Sequence, residues 1–317
     1  MDDVLDAVPP ADPAIEPDGF VVVVDPGDRI HFLDWGGPAA DVDTAQRGPG
    51  VLLIHGLSQT AWIWAPVARR LRAAMPTVAM DLRGHGLSDA PTDDGAYDLE
   101  VLAEDVVAVA EGSGLLPVDD AGPRVVLAGH GFGAIVAAQA ALALGDRCAG
   151  LVLVDGGWES LEAATDMEAD EFLRGLDEPP EVMASLGAFI ADRKGFDPST
   201  WDDDQDRAAR ATVVETHAGR VVPATRPHAV EASVRSMFTY DPLATLAGVV
   251  APVTALLASD DTEHTRERAL ERASAARVER GLTPIELRRF GHDGHNLMRY
   301  RPREVTAAIL ARRPPDH

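Results

Sequence analysis

Gly129-His130-Gly131-Phe132-Gly133 lies between a strand-like run, residues 125–128, and an Ala-rich helical stretch, residues 132–144. A strand, sharp turn and helix in this order form the setting of a nucleophile elbow, whose usual pattern is Gly-x-Ser-x-Gly. The outer glycines are required because strand and helix pass very close at the turn. The central residue of that pattern supplies the attacking oxygen. Here it is Gly131, which has no side chain to attack with. Ser58 and Ser259 stand near strand ends but on no elbow, and Ser88 sits in a loop that it is expected to structure. Cys148 opens an apolar, strand-like run and reads as a small buried hydrophobe; as the single cysteine it forms no intramolecular disulfide. No Cys/His cluster has zinc spacing, and no Gly-x-Gly-x-x-Gly is followed by a ribose-binding acid. Neither a metal nor any other cofactor is therefore expected.

The elements that must hold this turn follow from hydrophobic pattern. Residues 20–24 and 30–35 read as two strands joined by Pro26-Gly27-Asp28. Short apolar strands are expected at 51–55, 78–81, 124–129, 151–155, 253–258 and 285–290, and helices at 61–74, 99–111, 132–144, 263–280 and 302–312. Strands apolar throughout, each followed by a helix, indicate an α/β fold with a mostly parallel sheet covered on both faces. Residues 158–240 break the rhythm. They contain helical segments and the acidic run Trp201-Asp202-Asp203-Asp204, with no clear strand series. The expected division is a sheet core, 19–157 and 241–312, with a helical cap at 158–240, a loose N-terminal tail at 1–18 and a short C-terminal tail at 313–317.

Taken together these motifs resemble the α/β-hydrolase superfamily, in its capped Ser-His-Asp branch. His55-Gly56-Leu57 is similar to the family's oxyanion loop, and Asp81-Leu82-Arg83-Gly84-His85-Gly86-Leu87-Ser88 to its Asp-x-Arg-Gly-x-Gly-x-Ser signature. Ala258-Ser259-Asp260-Asp261 ends a strand where the family places its acid, and Gly294-His295 with Pro302 resembles the terminal histidine segment. The likeness runs through residues 20–312 in order. It implies a doubly wound sheet, with position 131, Asp261 and His295 as the triad and the Leu57 and Phe132 amides as the oxyanion hole. Asp260 competes with Asp261 and His292 with His295; spacing favours Asp261 and His295. His130, Trp158 and Phe189 are the expected substrate contacts, with Phe172, Met183 and Trp201 as further cap residues facing the ligand.

The departure from the family falls at Gly131, where it carries Ser, Asp or Cys. Removing the serine of such a triad lowers kcat by ~10⁶ and leaves ~10³–10⁴ over water, a loss of about 8 kcal/mol of transition-state stabilisation. Glycine also removes the strain of the elbow backbone, ~1–3 kcal/mol for other residues. Three functions remain open. One is a hydrolase acting on an ester, lactone or similar small apolar substrate, with Gly131 an engineered or natural loss of the nucleophile or with water activated by His295 and Asp261. The second is a non-covalent lyase, cyclase or isomerase with His295 as general base. The third is a ligand-binding pseudoenzyme.

Composition narrows the partners. The 317 residues carry 28 Lys+Arg against 52 Asp+Glu, a net charge of −24. Such a surface repels phosphates and anionic headgroups, which disfavours nucleic acid and membranes. No apolar run approaches the ~18–20 residues that cross a bilayer, and the first residues have no signal-peptide pattern. A cytoplasmic monomer or homodimer acting on a small molecule is expected.

Overall fold

A computed structural model describes residues 5, 7–38, 48–117, 124–258, 264–291 and 293–313. Ser259, Asp260, Asp261 and His292 lie outside the described residues.

The chain opens with β1 (Asp18–Val24) and β2 (Asp28–Asp34), an antiparallel pair. β3 (Gly50–Ile54) follows, then α1 (Ala65–Leu71), β4 (Thr77–Met80) and α2 (Leu99–Gly112). The elbow joins β5 (Val125–His130) to α3 (Phe132–Leu144), and β6 (Cys148–Val154) completes the first half. The inserted segment holds α4 (Leu161–Thr165), α5 (Ala169–Arg174), α6 (Leu186–Gly195), α7 (Asp203–Ala211), β7 (Val213–Glu215), β8 (Val221–Pro223) and α8 (Pro227–Thr239). The sheet resumes through α9 (Pro242–Gly248), β9 (Val253–Ala258), α10 (Thr265–Glu279), β10 (Glu286–Phe290), α11 (Leu297–Tyr300) and α12 (Pro302–Leu310).

Eight strands form one sheet in the order β1-β2-β4-β3-β5-β6-β9-β10. It is parallel from β4 to β10 and antiparallel at β1 and β2. The two faces explain why the central strands are apolar at nearly every position. Leu52, Ile54 and Leu127 pack with α2 and α3 on one face, whereas Val51, Leu53 and Val126 pack with α1 and α12 on the other. All six are fully buried, and each contributes about 1.5–3 kcal/mol through removal from water. β10 lies at the edge and accordingly mixes charged with apolar residues, none of them fully buried.

Local chemistry starts the cap helices. The Ser185 hydroxyl accepts from the Ala188 amide at 3.1 Å to open α6, and Asp202 accepts from Gln205 at 2.9 Å to open α7. Asp203, Asp204 and Asp206 fill the first turn of α7, where the helix dipole favours negative charge. The acidic run is thus a helix start. The expectation of a cap without strands is corrected by the β7–β8 hairpin, whose three-residue strands are too short to show a period. The loose tail is corrected as well. Arg69 of α1 donates to the carbonyls of Pro13 and Ile15 and to the carboxylates of Glu16 and Asp204, and Glu16 also pairs with Arg207 of α7. No helix among the described residues is long and apolar enough to cross a membrane.

Candidate active site

β5 ends at His130, and the chain reverses into α3 at Gly131 with φ +53° and ψ −117°. Such values lie in the left-handed half of backbone space, where glycine alone carries no side-chain strain. The turn is tight: a Cβ on Gly129 would stand 2.1 Å from the Gly133 carbonyl oxygen. The elbow backbone is therefore complete. A Cβ on Gly131 would stand 3.1 Å from His295 Nε2, so the imidazole faces the place of the missing nucleophile. The ring is slightly closer than a side chain would allow and would retreat by a few tenths of an ångström to admit one.

Behind His295 stands Asp155, the residue after β6. Its Oδ2 accepts from His295 Nδ1 at 2.6 Å. The other oxygen accepts from the Ala258 amide at 2.9 Å and from Arg266 at 2.7 Å. Asp155 is 4% exposed and adopts φ +49°. Burial pushes its carboxyl upward, but the His295 hydrogen bond and the Arg266 charge outweigh burial and hold it below the usual carboxylate range. This arrangement fixes the histidine tautomer, leaving Nε2 free to take a proton. Among the described residues the carboxylate at His295 Nδ1 is that of Asp155; the expected acid, Asp261, lies outside them.

Phe132 opens α3, so its amide has no partner in the helical ladder. Leu57 lies in the turn after β3. His55 shapes that turn: Nδ1 donates to the Gly56 carbonyl at 2.7 Å, and Nε2 accepts from the Leu82 amide at 2.9 Å. Burial lowers the His55 pKa and keeps the ring neutral, as this pairing requires. The Asp81–Ser88 segment is scaffolding of the same kind. Asp81 accepts from the Ala61 and Leu87 amides, and Ser88 donates to the Asp81 carbonyl at 2.7 Å.

A cavity of about 540 Å³ opens between this floor and the cap, with His295, Ser58, Phe189, Trp201 and Arg299 in its wall. Residues 51–309 match the model of the alpha/beta hydrolase family.

The chain belongs to the alpha/beta hydrolase family.

Within it, the chain is similar to the mouse epoxide hydrolase 4, at 32% identity over 41% of this chain and 33% of that protein. It is also similar to a putative carbamate hydrolase of Variovorax paradoxus, at 29% identity over 78% of this chain and 85% of the relative. The matched stretch spans less than half the length of each epoxide hydrolase relative. The crystal structure of E-2-(acetamidomethylene)succinate hydrolase shares the fold with a TM-score of 0.71 and 20% identity, over 93% of this chain and 98% of that one.

The other expected contacts of this hydrolase-family chain divide. Phe189 and Trp201 line the cavity, as does Met183. Phe172 instead packs on Phe238, ring centroids 6.2 Å apart. Trp158 is corrected: it is 1% exposed, lies under the Arg266 guanidinium and borders a separate cleft of about 290 Å³ with Tyr240. His130 is corrected too. It is buried outside the cavity wall, with Nδ1 3.1 Å from Gln59 Oε1 and Nε2 3.1 Å from the His295 carbonyl. It braces the histidine loop from below. Burial, with the adjacent His295, drives its pKa well below the usual imidazole value.

Sequence reasoning missed Asp155, Gln59 and Arg299. The first had a signal, since Val154-Asp155-Gly156-Gly157 ends an apolar strand beside the elbow strand. Gln59 had none: its amide links Gly56, His130 and Asn296, which are distant in sequence.

Proposed function

We propose that this chain is a hydrolase of an ester, lactone or similar small substrate in which water replaces the nucleophilic side chain. The observation that carries the reading is the aim of His295 Nε2 at position 131, with Asp155 held at Nδ1. The hydrolytic names of its relatives agree with this reading.

In this mechanism His295 Nε2 takes a proton from a water held above Gly131. The water oxygen forms a bond to the acyl carbon, and the carbonyl electron pair moves onto oxygen. The Leu57 and Phe132 amides receive that oxyanion. Asp155 stabilises the imidazolium. Collapse of the tetrahedral intermediate breaks the bond to the leaving oxygen, which takes the proton back from His295. Acid and alcohol are the products, and no acyl-enzyme forms. With the nucleophile absent, a rate of about 10³–10⁴ over water is expected.

The test is turnover of a panel of p-nitrophenyl esters and lactones by the wild-type protein and by His295→Ala. Turnover without a burst, lost in His295→Ala, is expected. A wild-type protein that hydrolyses nothing in the panel faster than buffer overturns the proposal.

A further inference from the structure

Arg299 follows His295 by one turn of chain and lines the same cavity. Its Nε donates to the Thr200 hydroxyl at 2.7 Å, and Nη2 to the Asp197 carbonyl. The guanidinium lies 5.5 Å from the Trp201 ring centroid and 5.4 Å from that of Tyr300. These contacts fix its position, and none of the four groups is charged; the Asp197 carboxylate, held below its usual range by Ser199 first and then by the Arg299 charge, makes no hydrogen bond to the guanidinium. The other arginine of the wall, Arg193, differs: it is paired with Glu178 and with Asp192. Among the described residues the same wall contains one carboxylate, Glu178, which Arg193 already occupies. The cavity therefore presents an ordered cation whose hydrogen bonds to protein go to a hydroxyl and a carbonyl, in a molecule of net charge −24. Nη1 and the second Nη2 proton are left for a ligand.

We infer that Arg299 anchors a carboxylate of the substrate, so that the preferred substrates are anionic hemiesters or related acids. This inference rests on the hydrolase reading for its turnover arm alone. Arginine suits the role because its planar fork receives a carboxylate on two parallel N–H donors. Trp201 and Tyr300 limit its rotation, so little freedom is lost on binding. The susceptible carbonyl would then be set between His295 and the oxyanion amides by an attachment remote from the reacting bond, which is how binding energy is converted into orientation. The apolar wall supplied by Phe189 and Ile63 would cover the carbon chain between the two ends.

The experiment compares p-nitrophenyl acetate with the p-nitrophenyl hemiesters of succinate and glutarate. In wild type, kcat/KM for a hemiester should exceed that for the neutral ester by tenfold or more. Arg299→Gln should raise KM for the hemiesters at least tenfold while leaving the neutral ester within threefold. Thr200→Val removes the tether but keeps the charge, and should retain the hemiester preference. Equal losses on neutral and anionic esters in Arg299→Gln would show a purely structural role and overturn the inference. A second arm needs no turnover: binding of glutarate, read by intrinsic tryptophan fluorescence and by calorimetry. Glutarate binding that weakens tenfold or more in Arg299→Gln supports the anchor even if no ester is hydrolysed, in which case the hydrolase reading alone fails. Hydrolysis of neutral esters, with no hemiester preference and no glutarate binding, overturns the anchor and leaves the hydrolase reading standing.

Discussion

Asp155 reaches His295 Nδ1 at 2.6 Å from the end of β6, the strand directly beside the elbow strand β5. Asp261, by contrast, follows β9, one strand further out. The histidine is thus oriented by the loop nearest the elbow.

Asp155→Asn is expected to lower turnover by about 10²–10⁴-fold, because an amide no longer stabilises the imidazolium and can impose the wrong tautomer. Asp261→Asn is expected to stay within a few-fold of wild type. Steady-state kinetics of both variants on the same ester checks the assignment. Equal losses, or a larger loss in Asp261→Asn, would contradict it.

Gly131→Ser should create a protein that a fluorophosphonate labels covalently, since the new side chain would start 3.1 Å from His295 Nε2. The same change should reduce stability by about 1–3 kcal/mol, because φ +53° is strained for serine. Mass spectrometry after labelling reads the first effect and urea unfolding the second. An unlabelled but folded variant would mean that the imidazole does not address position 131.

Three buried imidazoles set an acid limit on the fold. His55, His85 and His130 are each no more than 1% exposed. Burial lowers all three pKa values, that of His85 to about 3. Lowered folded pKa values mean that the unfolded chain binds more protons below its own value of about 6.5. Stability is therefore fully present above about pH 6.5 and declines steadily as pH falls from there toward about 3, by several kcal/mol in sum. Urea midpoints measured from pH 8 to pH 4 should show this fall. A flat profile down to pH 5 would contradict neutral burial.

Arg277 is fully buried, and its guanidinium donates to the carbonyls of Thr283, Leu246, Val249 and Ala251. It ties the end of α10 to the turn before β9. Arg277→Leu would leave those carbonyls without donors and should cost about 2–4 kcal/mol. Thermal unfolding measures it, and a loss below about 0.5 kcal/mol would show that the carbonyls find other partners.

The sheet was legible because β3, β5, β6 and β9 are buried on both faces and so carry apolar residues at all but two positions, His130 and Thr254. The elbow was legible because the close approach of Gly129 to Gly133 admits no side chain at residue 129. The acid was not. Asp155 follows β6 and Asp260 and Asp261 follow β9 in the sequence, and which acid meets His295 depends on where the loop after β10 crosses the sheet, a relation that no local pattern encodes. The docking of residues 12–16 was equally hidden, because Arg69 reads mainly carbonyl oxygens, which every residue possesses. Arg299 was overlooked since its place in the cavity wall arises only when the cap folds over α11.

Glu16 holds Arg69 of the core with one oxygen and Arg207 of the cap with the other. The segment before β1 is therefore a strap that joins α1 of the sheet core to α7 of the inserted segment. Removing the residues ahead of Asp18 thus removes one of the ties between the core and the segment inserted after β6, and leaves the Arg69–Asp204 pair to hold the two together.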